Sequence, residues 1–314
     1  MSRKRLLPLA ALLLCAPALT GTAPASAAPH TGPSAGPSGP SGPSGPTGPL
    51  RILLTNDDGY DAPGIRLLFD RLTAAGHEVT IVAPLTNQSG VGTKLTGGGA
   101  LRVNHPEPRV WAVGGTPGDS VSFGLATVFR DRAPDLVVSG TNFGPNTASL
   151  ATHSGTVAGA ITALEQGVPA IAVSAGELAD PVPQQILNAM RPTGEFTVKL
   201  IDRLRARAKN GRLLPVGLGL NVNHPLVGAD GTGTARGVSV TTQDPQLGLG
   251  VGYTDAGDGT WKVNVALVPA VARKGGDVEA VSAGRIAISP MSPDWNAGTV
   301  PLAATAALVS GLRP

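Results

Sequence analysis

Four short apolar runs, each ending in turn residues and separated by text of helix length, limit what this chain can fold into. They are Arg51–Thr55 (RILLT), Val79–Ala83 (VTIVA), Leu136–Ser139 (LVVS) and Ala170–Ser174 (AIAVS). Hydrophobicity that is continuous rather than alternating marks strands buried on both faces, as in a parallel sheet covered by helices. After the first run, Ile65, Leu68, Phe69 and Leu72 recur at the spacing of one helix face, and the pattern stops near Gly76. Val121–Phe129 and Val157–Leu164 also read as helices, and Glu195–Ala208 places Phe196, Leu200 and Leu204 on one face. Strands alternating with helices predict βαβ units and an α/β fold whose sheet is mostly parallel, with helices on both faces. From about residue 218 the text changes to short strands, Val238–Thr241, Lys262–Val268 and Arg285–Ser289, between Gly-rich turns. That part reads as a β-rich C-terminal arm or subdomain, closed by an apolar helix from about Leu302 to Leu312.

Ahead of this domain stand two other kinds of text. Arg3, Lys4 and Arg5 precede the apolar stretch Leu6–Leu19, and Ala25-Ser26-Ala27 offers small residues for cleavage, so residues 1–28 read as a secretory signal peptide. A membrane anchor is the rival reading, but the run is short and broken by Pro17. Residues 29–49 repeat Gly-Pro-Ser triplets, too few for a stable triple helix, and read as a semi-extended linker. The α/β domain is then 50–314. Cleavage removes three of the 24 basic side chains and leaves 21 of each sign, so the mature chain has no basic excess with which to hold a nucleic-acid duplex. It also removes Cys15, the only cysteine, so no disulfide is available. The expectation is a secreted or extracytoplasmic protein with no membrane attachment after cleavage.

In an open α/β sheet, ligands bind beyond the carboxyl ends of the strands. Four such ends are unusually polar. Asn56-Asp57-Asp58-Gly59 follows the first strand, where two adjacent carboxylates repel each other and a hard divalent cation would relieve the repulsion. An ordinary turn is the other reading, since Asn, Asp and Gly all favour turns. Asn87-Gln88-Ser89-Gly90 follows the second strand and could add oxygen ligands. Asn142 and Asn146 lie in the loop after LVVS. Ser154-Gly155-Thr156 precedes a helix whose N-terminus could hold a phosphate, or Ser154 could serve only as its cap. Taken together, a metal site beside an anion site fits phosphoester hydrolysis by metal-activated water.

The motifs RILLTNDDG, VTIVAP with NQSG, GTPGD, PDLVVSGTNFGPN, SGTVAGA, LNVN and GRIAISP, in this order, resemble the SurE survival-protein family of nucleotidases. The resemblance spans nearly all of the chain from Leu50. It implies a Rossmann-like sheet with an extended C-terminal arm used in homodimer or homotetramer assembly. It also implies metal-dependent release of phosphate from nucleoside 5′-monophosphates, and of 3′-monophosphates as a second class of small-molecule phosphomonoester. Carried over, Asp57, Asp58, Ser89 and Asn142 are the ligands of Mg2+ or Mn2+, with Asp57, Asp58 and Asn56 the catalytic group. Gly90, Asn146, Ser154, Gly155 and Thr156 shape the site or hold phosphate, and Asp119 matches a motif position that also suits a helix cap. Two departures stand out. His153 occupies a position usually held by Tyr, where it could act as a general acid or as packing. Thr162 falls where the family often has Glu. Two rivals remain: a glycosyltransferase-like enzyme, suggested by Gly76–Pro84, and a non-catalytic binding protein on the same fold.

Overall fold

In the computed structural model, residues 48–176, 183–245, 249–267, 272–294 and 299–310 are described, all within the unit Gly42–Pro314. The signal segment, all of the linker except Gly48 and Pro49, Val268, and the last residues of the expected C-terminal helix lie outside them.

The apolar runs form the strands expected of them. β1 (Arg51–Thr55) is followed by α1 (Pro63–Ala74), which starts with proline at its first turn, where the missing N–H costs nothing, and ends before Gly76. β2 (Glu78–Pro84) pairs parallel to β1, with Ile52 opposite Val79. Then come β3 (Val103–Glu107), β4 (Val110–Val113) and α2 (Pro117–Phe123), which runs into a single π-helical turn at Gly124–Val128. β5 (Leu136–Phe143), α3 (Gly155–Glu165) and β6 (Ala170–Ala175) complete the middle of the domain, a 3-10 turn at Ala148–Thr152 preceding α3. The long α4 (Pro183–Arg207) leads to β7 (Gly219–His224) and β8 (Val238–Val240). A hairpin of β9 (Leu249–Asp255) and β10 (Trp261–Leu267) follows, then α5 (Asp277–Ser282), β11 (Ile286–Met291) and α6 (Thr299–Leu308).

Nine of these strands form one sheet in the order β3-β4-β2-β1-β5-β6-β7-β11-β8. The run from β4 to β7 is parallel, while β3 and β11 oppose their neighbours β4 and β7. Three of the five described strands after residue 218, β7, β8 and β11, therefore extend the main sheet, and the β9–β10 hairpin forms a separate two-stranded ribbon. The strand order reverses at β1: β2 lies on one side of it and β5 on the other. A crevice opens at such a reversal, beyond the carboxyl ends of β1 and β5.

Two layers of core hold the sheet. Along β1, Ile52 and Leu54 pack with Ile65, Leu68 and Leu72 of α1 and Ile201 of α4, whereas Leu53 faces Val121 of α2 and Val157 and Ile161 of α3. That is the period-two alternation of a strand with apolar layers on both sides. The α1 layer lies close against the sheet: a Cβ added to Gly64 would sit 2.0 Å from the Thr141 carbonyl oxygen. Helix α4 begins twelve residues ahead of Glu195 and passes through Pro192. An interior proline costs about 3 kcal/mol. Burial of Ile186, Ala189 and Met190 in the segment before it, against Leu67 of α1, supplies the opposing packing.

Candidate functional site

The crevice is built first by the turn after β1. The Asn56 side chain donates from Nδ2 to the Gly59 carbonyl (2.9 Å) and accepts the Gly59 N–H at Oδ1 (3.3 Å). Gly59 adopts φ 116°, a conformation glycine takes without a Cβ penalty. Asn56 is fully buried, so it shapes the turn from below and leaves Asp57 and Asp58 at its tip.

Asp57 is only 3% exposed, and the start of α3 closes on it. Its Oδ1 accepts the Thr156 hydroxyl at 2.6 Å, and a Cβ on Gly155 would fall 2.6 Å from the Asp57 Cβ, so only glycine permits this approach. Ser154 caps the helix, its Oγ accepting the Val157 N–H at 3.1 Å. The first-turn donors of α3 are thus turned toward a carboxylate of the protein itself, and a helix N-terminus favours that charge. Burial nevertheless dominates and pushes the Asp57 carboxyl up, against the opposing pull of the Thr156 hydroxyl and of the Gly155 and Thr156 amides. Asp58, whose Oδ2 accepts the Phe143 N–H at 3.3 Å, is pushed up to about 6 by burial and then by the neighbouring Asp57 charge.

Among the described residues no Lys or Arg pairs with either carboxylate, and no group of three or more His, Cys, Asp or Glu forms a metal cluster. A cation here would rest on two carboxylates completed by neutral oxygens and water, the set that suits Mg2+ or Mn2+. Neutral oxygens are close. The Gln88 N–H donates to the Asp57 carbonyl (2.7 Å), which ties the loop carrying Ser89 and Gly90 to the acid turn. Ser89 and Asp58 line one cavity of about 410 Å3. Asn142, near the end of β5, donates from Nδ2 to the Gly144 carbonyl (2.9 Å), and the next residue, Phe143, donates its N–H to Asp58 Oδ2 (3.3 Å). Asp57 and Asp58, Ser89 and Asn142 thus follow or end three neighbouring strands, β1, β2 and β5, and Asp58 and Ser89 line one cavity.

The remaining sequence candidates act at one remove. Asn146 is buried and works as an anchor. Its Nδ2 donates to Ser174 Oγ (2.8 Å), its N–H to Asn223 Oδ1 (2.7 Å), and its carbonyl accepts from Asn221 Nδ2 (2.8 Å). Gly90 is exposed at φ 81°. His153 is exposed, and its carbonyl accepts the Gly92 N–H at 3.1 Å. Thr162 is buried on the α2 side of α3 and donates to the Ala158 carbonyl. Asp119 is a helix cap: it and Thr116 form a reciprocal capping box on α2. Burial raises its carboxyl, but hydrogen bonds from Thr96 and Thr116 outweigh that and hold it below the ordinary value.

Several fasteners were not singled out from sequence. The Ala148 N–H donates to Asp277 Oδ2 (3.0 Å), the Ala148 carbonyl accepts from Gln243 (2.8 Å), and Asn221 and Asn223 hold Asn146. The alternation in Leu220-Asn221-Val222-Asn223 was the readable signal, since it puts two amides on one face of a strand that has no open side.

Comparison with known proteins decides the family. The family model for survival protein SurE matches residues 52–247. The chain belongs to the SurE family. The 5′-nucleotidase SurE of Geotalea uraniireducens is 36% identical over 255 residues, covering 78% of this chain and 94% of the relative. That of Paramagnetospirillum magneticum is 35% identical over 253 residues, covering 78% and 90%. The crystal structure of the SurE protein from Aquifex aeolicus is 30% identical with a TM-score of 0.68, covering 82% of this chain and 99% of that one.

The acid pair makes stability depend on pH. Without a cation, ionising Asp58 is opposed from its ordinary value of 3.8 up to about 6, so this fold loses stability as pH rises through that interval. A divalent ion bound to the ionised pair restores it. At about 100 times its Kd, Mn2+ should raise the Tm by roughly 5–10 °C at pH 7.5. At pH 5, where Asp58 is mostly protonated, the rise should be far smaller; calorimetry showing equal shifts at both values would rule out binding through this pair.

Proposed function

We propose that this SurE-family chain is a phosphomonoesterase that uses a divalent metal to convert nucleoside 5′-monophosphates, and 3′-monophosphates as a second class, into nucleoside and phosphate. The observation carrying this reading is the pair of buried Asp57 and half-buried Asp58, unpaired with any cationic side chain among the described residues and set where the sheet order reverses. The 5′-nucleotidase names of the relatives point the same way.

Asp57, Asp58, Ser89 and Asn142 would hold Mg2+ or Mn2+, which would supply Lewis acidity toward the phosphoryl group and toward water. The Thr156 hydroxyl and the start of α3 fix the direction of the Asp57 carboxylate and partly offset the cost of its burial. Asn56 fixes the turn, and Asn146 fixes the loop after β5 to the ends of β6 and β7. Since α3 is committed to Asp57, the phosphoryl group approaches from the side of Ser89, Gly90 and Asn142. The glycosyltransferase reading is disfavoured because β7, β11 and β8 extend the single sheet instead of building a second nucleotide-binding domain. The intact four-ligand set argues against a binding protein without activity.

Phosphate release from AMP should require Mg2+ or Mn2+, stop with EDTA, and fall at least about 100-fold in Asp57→Asn, the scale of losing a central electrostatic group. Undiminished turnover in that variant, or indifference to chelation, would defeat the metal mechanism.

Two further parts of the proposal concern assembly and location. On the β9–β10 hairpin, Val251, Tyr253, Trp261, Val263 and Val265 are all exposed and share one face by register. Such a stripe on a free ribbon supports association with further copies of the chain as a homodimer or homotetramer. Sedimentation velocity should find an oligomer for the native chain and a monomer for Tyr253→Lys/Val263→Glu; a native monomer would refute this. The basic and apolar text before Ala28 supports export. Protein recovered outside the cytoplasm should begin after Ala28 on N-terminal sequencing, and an intact Met1 would count against cleavage.

A further inference from the structure

The cavity that holds Asp58 and Ser89 has a second, apolar wall. Besides Asn87, its lining includes Ala62, Pro63 and Gly64 at the start of α1, Leu187 and Met190 of α4, and Phe143 at the tip of β5. Its volume of about 410 Å3 lies within the range of small-molecule sites. Phe143 is 41% exposed, although the seven residues of β5 before it are all buried. Its backbone N–H meets Asp58 Oδ2 at 3.3 Å, so the ring is attached one residue from the acid pair. The polar end of this cavity is therefore the candidate phosphoryl site, and the apolar end begins within a side chain's length of it.

An aromatic ring left in solvent at the rim of a polar crevice has a chemical use: it offers a flat face to a flat partner. We propose that Phe143, in a lining shared with Leu187 and Met190, is a stacking platform for the aromatic part of the substrate, making Phe143 a specificity-determining residue for phosphomonoesters with a nucleobase or aryl leaving group. This rests on the phosphomonoesterase reading above. Stacking on an aromatic side chain tolerates any base, because every base has a π-face. The platform therefore selects aromatic over aliphatic leaving groups and discriminates little among bases.

The test compares four substrates: AMP, p-nitrophenyl phosphate, glycerol 2-phosphate and tripolyphosphate. In Phe143→Ala the KM for the first two should rise about tenfold. The KM for the last two should move by less than about twofold, as expected when only binding of the distal group is lost. Phe143→Trp should restore the aromatic preference, and Leu187→Ala should weaken it in the same direction. Equal losses on all four substrates, or an altered sedimentation coefficient without any change in preference, would overturn the platform. Calorimetry separates this from the function itself. Wild type should bind AMP more tightly than inorganic phosphate, and Phe143→Ala should narrow the gap. An unchanged gap overturns the platform whether or not the protein hydrolyses anything, whereas no turnover with a narrowed gap overturns only the phosphatase reading.

Discussion

Two carboxylates stand side by side at the buried end of β1, and no cationic side chain among the described residues answers them. Burial and mutual repulsion both oppose their ionisation, and neither is relieved by the fold alone. What the fold does supply is direction. The Thr156 hydroxyl and the start of α3 pin Asp57, the Phe143 amide steadies Asp58, and Asn56 holds the turn beneath both. Three separate elements are thus spent on orienting two uncompensated charges, and that expense is what the proposed cation site rests on.

That orientation depends on close approach. Gly155 lets the α3 terminus reach Asp57, and Gly64 lets α1 lie on the backbone of β5 near Thr141. The cavity beside Asp58 is lined by Ser89 and Phe143, both exposed to solvent.

Much of this was legible in the sequence because the core strands are buried on both faces. RILLT, VTIVA, LVVS and AIAVS have no polar side to confuse with a helix, and their order places the Asn56–Gly59 turn and Asn142 at adjoining strand ends. Other parts follow from contacts that local text does not encode. β3 contains Pro106 and three exposed residues and is a strand only because β4 lies beside it. α4 runs through Pro192 because its first half is buried, and α5 is a six-residue helix whose Asp277 is anchored to distant loops. At Ser154-Gly155-Thr156 the position was readable but its object was not. A helix terminus suits any anion, and only the packing of α3 on β1 shows that the nearest one is Asp57.

The fastening of the loop before α3 has a consequence for how the molecule comes into being. Every proposed metal ligand lies at or before Asn142, yet the loop from Asn146 to Ala148 is tied to Asn221, Asn223, Gln243 and Asp277. A polypeptide lengthening from its N-terminus holds all four proposed ligands long before it holds the residues that fasten this loop. The loop before α3 is therefore fixed late in synthesis, and a product ended ahead of Asp277 would carry the acid-pair motifs without that fastening.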